Sequence, residues 1–340
     1  MNSFYGLTIE ELKKYLETIG RKPFIATQLY EWVYKKNINN FLDIPNIKKD
    51  TLEAISNDYS LDLLEVVTHQ ISSDGTHKFL FKLSDGNLIE TVLMPHPYGY
   101  SACVTSQLGC NMSCAFCASG MKKKLRNLDA SEIVMQLKSV EREVDVRISH
   151  VVVMGIGEPF DNYDNVIKFL NIINNAHGME IGARHISVST SGIVPMILKY
   201  ATEGIQSNLA ISLHAPNNEI RNQIMPVNKA YDINELVSAI KKHIETTNRR
   251  VTIEYILLEG VNNSEKNALE LAHLLKGLNV YVNLIPYNEV KEKPFVKSTI
   301  EHTRKFFDAL KKCGINVTQR YEYGSDIDAA CGQLRSKHMK

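Results

Sequence analysis

At 340 residues, 44% of them hydrophobic and 23% charged, the chain is long enough to bury one large core plus one or two small ones, which excludes a peptide scaffold and a disordered polymer. No apolar run approaches the ~20 residues needed to span a bilayer, and the opening Met1-Asn2-Ser3-Phe4-Tyr5-Gly6 lacks the basic start and apolar stretch of a secretory signal, so a cytoplasmic protein is expected. Lysine and arginine number 39 against 38 aspartate and glutamate, a net charge of +1, so any polyanion must be met by local patches rather than by overall charge.

Residues 1–60 read as a helical module. Thr8 and Glu11 stand at the spacing of a capping box, Leu12, Leu16 and Ile19 share a face, and Gly20 stops the helix. A second helix is expected over about Ala26–Lys36, with Leu29, Trp32 and Val33 inward, and a third over Lys48–Asp58. The pairs Lys13-Lys14, Arg21-Lys22, Lys35-Lys36 and Lys48-Lys49 interleave with Phe24, Tyr30, Trp32 and Tyr34. That pattern suits nucleic-acid contact, although solvated charge and buried rings produce it as well.

Residues 61–96 change period. Val66-Val67, Lys78–Leu83 and Leu88–Met94, punctuated by Asp74-Gly75 and Asp85-Gly86, predict a small β extension with tight turns. Glu90 interrupts the last of these strands, either as a solvent-facing edge residue or as a functional carboxylate.

From about residue 97 strand and helix alternate. Near-continuous apolar strands are expected at Ala102–Ser106, His150–Met154, His185–Ser189, Asn208–Leu213, Val251–Leu257 and Val280–Ile285, with another near Val317–Tyr321. Helical segments fall at about 129–144, 162–177, 193–203, 218–247, 264–277 and 299–313. A closed eight-stranded barrel takes ~250 residues. Only six clear βα units fit here, so the fold class is α/β, a partial six-stranded βα barrel over residues 97–324, with residues 325–340 as a C-terminal loop.

Three of the six cysteines, Cys110, Cys114 and Cys117, sit within eight residues at C-x3-C-x2-C spacing. Three soft thiolates on one loop suit an iron–sulfur cluster, zinc or copper(I), and a structural zinc would want a fourth ligand close by. With no Cys or His just downstream, an iron–sulfur centre with one open iron is favoured. In parallel βα folds the chemistry lies at the C-terminal ends of strands. There the sequence places Gly155-Ile156-Gly157-Glu158-Pro159, Ser187–Gly192, Ser212-Leu213-His214-Ala215-Pro216 and Ile285-Pro286-Tyr287-Asn288. These supply glycines for close backbone approach and carboxylate, hydroxyl, imidazole and amide groups. Cys103 and Cys331 lie apart from the cluster spacing and read equally as buried thiols or as redox partners; Cys313 reads as packing.

With these segments together, the chain resembles the RlmN/Cfr family of radical S-adenosylmethionine RNA adenosine methyltransferases along almost its whole length. The matching stretches are Ile89-Glu90-Thr91-Val92, Cys103–Gln107, the cysteine loop, Gly157-Glu158-Pro159, Ser189–Gly192, Ser212–Pro216 and Asp328–Leu334. The resemblance implies that Cys110, Cys114 and Cys117 hold a [4Fe–4S] cluster, and that Gly157, Glu158, Ser189, Ser212, Leu213, His214 and Asn288 bind S-adenosylmethionine. It further implies a route in which Cys331 takes a methyl group and a 5′-deoxyadenosyl radical removes a hydrogen from it. The resulting methylene adds to adenine, Glu90 accepts a proton, and Cys103 releases product by forming a disulfide with Cys331.

The substrate so implied is 23S rRNA, protein-free or partly assembled, with tRNA as a further one and an electron donor such as flavodoxin as partner. Asp74-Gly75-Thr76, Met154–Tyr163 and Ile181–His185 resemble the members that act on carbon 2 rather than carbon 8. A non-catalytic iron–sulfur RNA-binding protein and a radical-installing activase are the readings from other classes. Neither uses Cys103 and Cys331.

Overall fold

The computed structural model describes residues 1–329 and Gln333. In the N-terminal module α1 (Ile9–Thr18) starts at the expected capping box: the Glu11 N–H donates to Thr8 Oγ1 at 3.2 Å and the Thr8 N–H to Glu11 Oε2 at 2.8 Å. The second helix, α2 (Ile25–Tyr30), widens into a π-helical turn over Glu31–Lys35, and α3 spans Lys49–Asp58. The interleaved aromatic residues are mostly structural. Tyr30 and Tyr34 are buried, Trp32 packs on the core with its Nε1–H on Asn46, and Phe24 alone of the four is well exposed. Several of the basic residues are tied to acids as well, Arg21 to Asp50, Lys13 to Glu10 and Lys35 to Glu180.

The rest is built on one ten-stranded sheet. Its strands are β1 (Glu65–Ile71), β2 (His77–Lys82), β3 (Leu88–His96), β4 (Gly99–Cys103), β5 (Ile148–Val153), β6 (Ile186–Thr190), β7 (Asn208–Ser212), β8 (Val251–Leu257), β9 (Val280–Pro286) and β10 (Val317–Gln319). Strands β4 to β10 pair in parallel in chain order, whereas β1 to β4 form an antiparallel meander. Strand β4 belongs to both, so the small β extension continues the barrel wall. The expected partial barrel is present, with the three-residue β10 as a seventh parallel strand at one edge.

The covering helices are α4 (Ala130–Val144), α5 (Tyr163–Asn174), α6 (Val194–Tyr200), α7 (Asn218–Ile224), α8 (Ile233–Thr247), α9 (Glu265–Leu274) and α10 (Ile300–Lys312). The segment expected to be one helix over 218–247 is two. Pro226 has no N–H to offer and crowds the carbonyl one turn back, so α7 ends there, and Asp232 caps α8 afresh through the Asn234 and Glu235 N–H groups. The first barrel strand also ends three residues earlier than expected, at Cys103. Beyond it Gln136 of α4 takes the Thr105 N–H at 2.8 Å and donates to the Thr105 carbonyl at 2.9 Å, which bends the chain out of the ladder.

Apolar residues of β4 to β9 meet the helices in a core that extends without a break into the N-terminal module, joining Phe4, Leu12 and Leu29 to Val151, Ile211 and Val282. Buried Lys138 pins the two parts together, donating to the Tyr34 carbonyl at 3.4 Å and to Asn37 Oδ1 at 2.5 Å.

Candidate active site

The loop after β4 carries Cys110, Cys114 and Cys117 to the mouth of the barrel, where all three line one cleft. Main-chain bonds shape it: the Cys110 N–H donates to Lys122, the Ala115 N–H to Ile224 and the Cys117 N–H to Cys114. Burial pushes the Cys110 thiol up to about 12 and that of Cys114 well above its ordinary value, with the neighbouring cysteines adding to both shifts. Three such sulfurs are thiolates together only when metal compensates their charge. Among the described residues no three Cys, His, Asp or Glu side chains are arranged to hold a single metal ion. The donor set, three thiolates on one loop, suits a four-iron cluster.

Opposite the loop stand the ends of β5 to β7. Gly157 has φ +114°, and a Cβ there would lie 2.7 Å from both Gln107 Cβ and Ser106 Oγ, so only glycine lets this turn pass the chain leaving β4. Gln107 then fixes the next residue by accepting the Glu158 N–H at 2.8 Å. The Glu158 carboxylate is buried and accepts from the Phe160 N–H at 3.0 Å and the Ser191 N–H at 2.7 Å. Burial raises its pKa against these bonds. Ser189 and Ser212 face each other across β6 and β7, hydroxyl to hydroxyl at 3.4 Å.

His214 sits in the left-handed region at φ +56°. Its Nδ1 accepts the Ile256 N–H at 3.0 Å, which leaves the proton of the neutral ring on Nε2. Burial, reinforced by Arg221, drives its pKa down to about 3. It is thus both a satisfied interior histidine and a lining residue of the cleft, with Phe116 edge-on at 5.0 Å. Leu213 does not line the cleft: its side chain is fully buried.

A second cleft adjoins the first and shares Cys117, Ser119, Met154, Gly155, Ile285 and Arg320 with it. Cys103 and Asn288 line this one. Glu90 lines neither. It lies on β3 two residues before Val92, the register partner of Cys103, so both side chains use the same face of the sheet. Glu90 is buried and ion-paired to Lys78 at 2.8 Å, so it is neither an edge residue nor solvent-facing. Cys331 falls outside the described residues.

A model of the radical SAM superfamily matches residues 104–272, and one of the ribosomal RNA large subunit methyltransferase N-terminal domain matches residues 3–59. A Listeria welshimeri protein named as a probable dual-specificity RNA methyltransferase RlmN is 55% identical over 100% of this chain and 95% of its own length. The chain belongs to the RlmN family of radical S-adenosylmethionine methyltransferases. A relative of the same name from Exiguobacterium sibiricum is 53% identical over 99% of this chain and 97% of its own. The crystal structure of a radical SAM methyltransferase from Sphaerobacter thermophilus superposes with a TM-score of 0.93 at 41% identity, covering 99% of this chain and 100% of that one. The superfamily works with a [4Fe–4S] cluster and S-adenosylmethionine, and the three cysteines beside a glycine-lined cleft fit both.

Two buried residues that shape the cleft, Arg221 and Glu254, carry no signal in the sequence. Arg221 on α7 reads as a surface helix position yet is fully buried, donating to the Ser191 carbonyl at 2.7 Å, the Leu213 carbonyl at 3.2 Å and Asn228 at 3.0 Å. Glu254 on β8 faces the cleft and accepts from Asn283 at 2.9 Å. Lys124 and Gln107 converge on Asp161 at 2.7 and 3.0 Å and so brace the Gly-Glu-Pro turn against the cysteine loop.

Proposed function

We propose that the chain methylates carbon 2 of an adenosine in the peptidyl-transferase centre of 23S rRNA, and carbon 2 of the adenosine 3′ of the anticodon in tRNA. The observation that carries this reading is the common sheet face of Glu90 and Cys103 beside the cleft with three cysteines, an arrangement that a merely structural cluster does not need. Cys110, Cys114 and Cys117 would hold the cluster, and Gly157, Glu158, Ser189, Ser212, His214, Asn288 and the main chain of Leu213 would hold S-adenosylmethionine. Bound there, the two cofactors supply methyl groups and one-electron chemistry at a carbon that is a poor nucleophile.

The protein's own groups do the rest. The Cys331 thiolate accepts a methyl group and, once its carbon is joined to the base, tethers the RNA. Glu90 takes the proton from the substituted carbon. The Cys103 thiolate then attacks the Cys331 sulfur: an S–S bond forms, the bond from sulfur to the transferred carbon breaks, and that carbon leaves with the electron pair and picks up a proton. The disulfide is reduced before the next turnover. The adenosine must be swung out of its helix to reach the cleft, which favours protein-free or partly assembled rRNA. An electron donor such as flavodoxin would serve a monomer in the cytoplasm.

The test is anaerobic turnover of the reconstituted protein on protein-free 23S rRNA and on tRNA, followed by digestion and mass spectrometry against methyladenosine standards. We expect 2-methyladenosine. An 8-methyladenosine product places the chain with the resistance-conferring relatives, and no methyladenosine from protein that cleaves S-adenosylmethionine removes the proposal. Cys103→Ala should accumulate a covalent protein–RNA adduct, and Cys331→Ala should give neither adduct nor product.

A further inference from the structure

Residues 323–329 are held against the meander by a set of polar contacts that the chemistry above leaves without a purpose. The Asp74 carboxylate accepts the Gly324 N–H at 2.9 Å. Asp326 accepts from the Ser72 hydroxyl and, at 3.1 Å, from the Ser73 N–H. The Tyr323 hydroxyl meets His96 Nδ1 at 2.9 Å. Gly324 has φ +61°, and a Cβ on it would come within 2.7 Å of Ala329 Cβ and 3.0 Å of Thr76 Cγ2, so the segment folds tightly over the turn between β1 and β2. Lys78 of β2 completes the set, its Nζ donating to the Asp328 carbonyl at 3.1 Å while ion-paired to Glu90 at 2.8 Å.

The Lys78–Glu90 pair is nearly dry, with side-chain exposures of 10% and 8%. A buried ion pair adds little stability over apolar residues of the same size, and it is best understood where it fixes a unique arrangement. Here it links the candidate base to the main chain of a segment some 250 residues on. The docked end of that segment reaches the second cleft, where Ala329 lines the wall together with Cys103. Cys331 follows two residues later in the chain.

We propose that Lys78 is a positioning residue which, with the Ser72–Thr76 turn, docks the C-terminal segment over the Cys103 cleft and holds it in register with Glu90. This rests on the roles given above to Glu90, Cys103 and Cys331. It also gives the Asp74-Gly75-Thr76 stretch a function in addition to its turn: Asp74 braces its own loop through the Thr76 N–H at 2.9 Å and uses its other oxygen to hold the segment.

The test is hydrogen exchange of the full-length protein, read by mass spectrometry, for wild type, Lys78→Met, Lys78→Arg, Asp74→Asn and Asp326→Asn, alongside turnover on 23S rRNA. Lys78→Met should speed exchange in peptides covering 321–329 at least tenfold while β6 and β7 peptides stay unchanged, and Lys78→Arg should restore most of the protection. In the same variant kcat for RNA methylation should fall at least tenfold, with KM for S-adenosylmethionine within twofold of wild type. Unchanged protection of 321–329 in Lys78→Met overturns the proposal. If Lys78→Met loosens the whole sheet, Asp74→Asn at a half-exposed position and Asp326→Asn at an exposed one decide, and failure of both to release the segment overturns it equally. Selective release in a protein whose wild type makes no methyladenosine upholds the dock and refutes the chemistry instead.

Discussion

Replacing Arg221 by methionine should damage the barrel mouth more than any other single change among its buried polar residues. The guanidinium is fully buried and supplies hydrogens to the Ser191 and Leu213 carbonyls and to Asn228 Oδ1. Burial lowers its pKa to about 10, so it remains a cation at neutral pH. Methionine fills much of the volume and returns none of the hydrogens. Each buried acceptor left unpaired costs ~1–3 kcal/mol, partly offset because a buried charge is also removed, so a net loss of about 3–5 kcal/mol is expected. The damage should reach the site by a short path, since the Ser191 N–H is a donor to Glu158. Denaturant unfolding of the apoprotein under anaerobic, reducing conditions measures the first effect, and calorimetric binding of S-adenosylmethionine to the reconstituted protein measures the second. Arg221→Lys should recover only a small part of either, because one ammonium cannot reach three acceptors lying in different directions. A midpoint shift worth under about 1 kcal/mol at unchanged slope would show that these carbonyls find other donors and that the network is not what fixes the strand ends.

Gly157→Ala should cost about 2–4 kcal/mol and weaken S-adenosylmethionine binding, read by thermal melting and calorimetry, because its Cβ meets Gln107, which is already committed to Glu158 and Asp161, at a backbone angle that resists any side chain. His214 makes stability depend on pH. Its folded pKa of about 3 lies below the unfolded 6.5, so the unfolded chain binds the extra proton and stability falls as pH drops from about 6.5 toward 3, by up to ~1.4 kcal/mol per unit. The difference in unfolding free energy between wild type and His214→Asn, a residue that tolerates the same positive φ, should isolate that slope at pH 7, 6 and 5, and a constant difference would refute it. Cys117→Ala should retain the far-ultraviolet circular dichroism of wild type yet fail to take up iron and sulfide in stoichiometric amounts on reconstitution.

Much of this site could be read in the sequence because its features are local. A C-x3-C-x2-C loop, a Gly-x-Gly-Glu-Pro turn and apolar runs of strand length each declare themselves within ten residues, and the structure brings the cysteines, Gly157, Glu158, Ser189, Ser212 and His214 to one cleft. The illegible parts depend on partners far away in the chain. Lys78 alternates along β2 like any outward lysine, and only pairing with β3 shows it buried against Glu90. Arg221 follows an asparagine cap on a short helix, with nothing local to say that it turns inward to the ends of β6 and β7. The aromatic residues among the N-terminal lysines are ambiguous by contrast, since burying Tyr30 and Tyr34 and exposing them as a stacking surface write the same pattern.

The meander explains why the candidate base and resolving thiol can share a site with a cluster that the barrel holds. Had residues 61–96 formed a separate appendage, the distance from Glu90 to the cleft would depend on a linker. Instead β3 pairs with β4 residue for residue, Val92 opposite Cys103 and Met94 opposite Ser101, and β4 pairs in turn with β5, which leads into the Gly-Glu-Pro turn. A one-residue slip between β3 and β4 would turn Glu90 away from the cleft, because side chains alternate faces along a strand. The register is pinned where it matters: the Thr105 hydroxyl donates to the Glu90 carbonyl at 2.6 Å, and Gln136 accepts both the Thr91 hydroxyl at 2.9 Å and the Thr105 N–H at 2.8 Å. The same glutamine that ends the first barrel strand early therefore keeps Glu90 on the face it shares with Cys103. Gln136→Leu should lose that alignment while leaving the cysteine loop able to bind its cluster, a separation that iron content and adduct release measured on one preparation would expose.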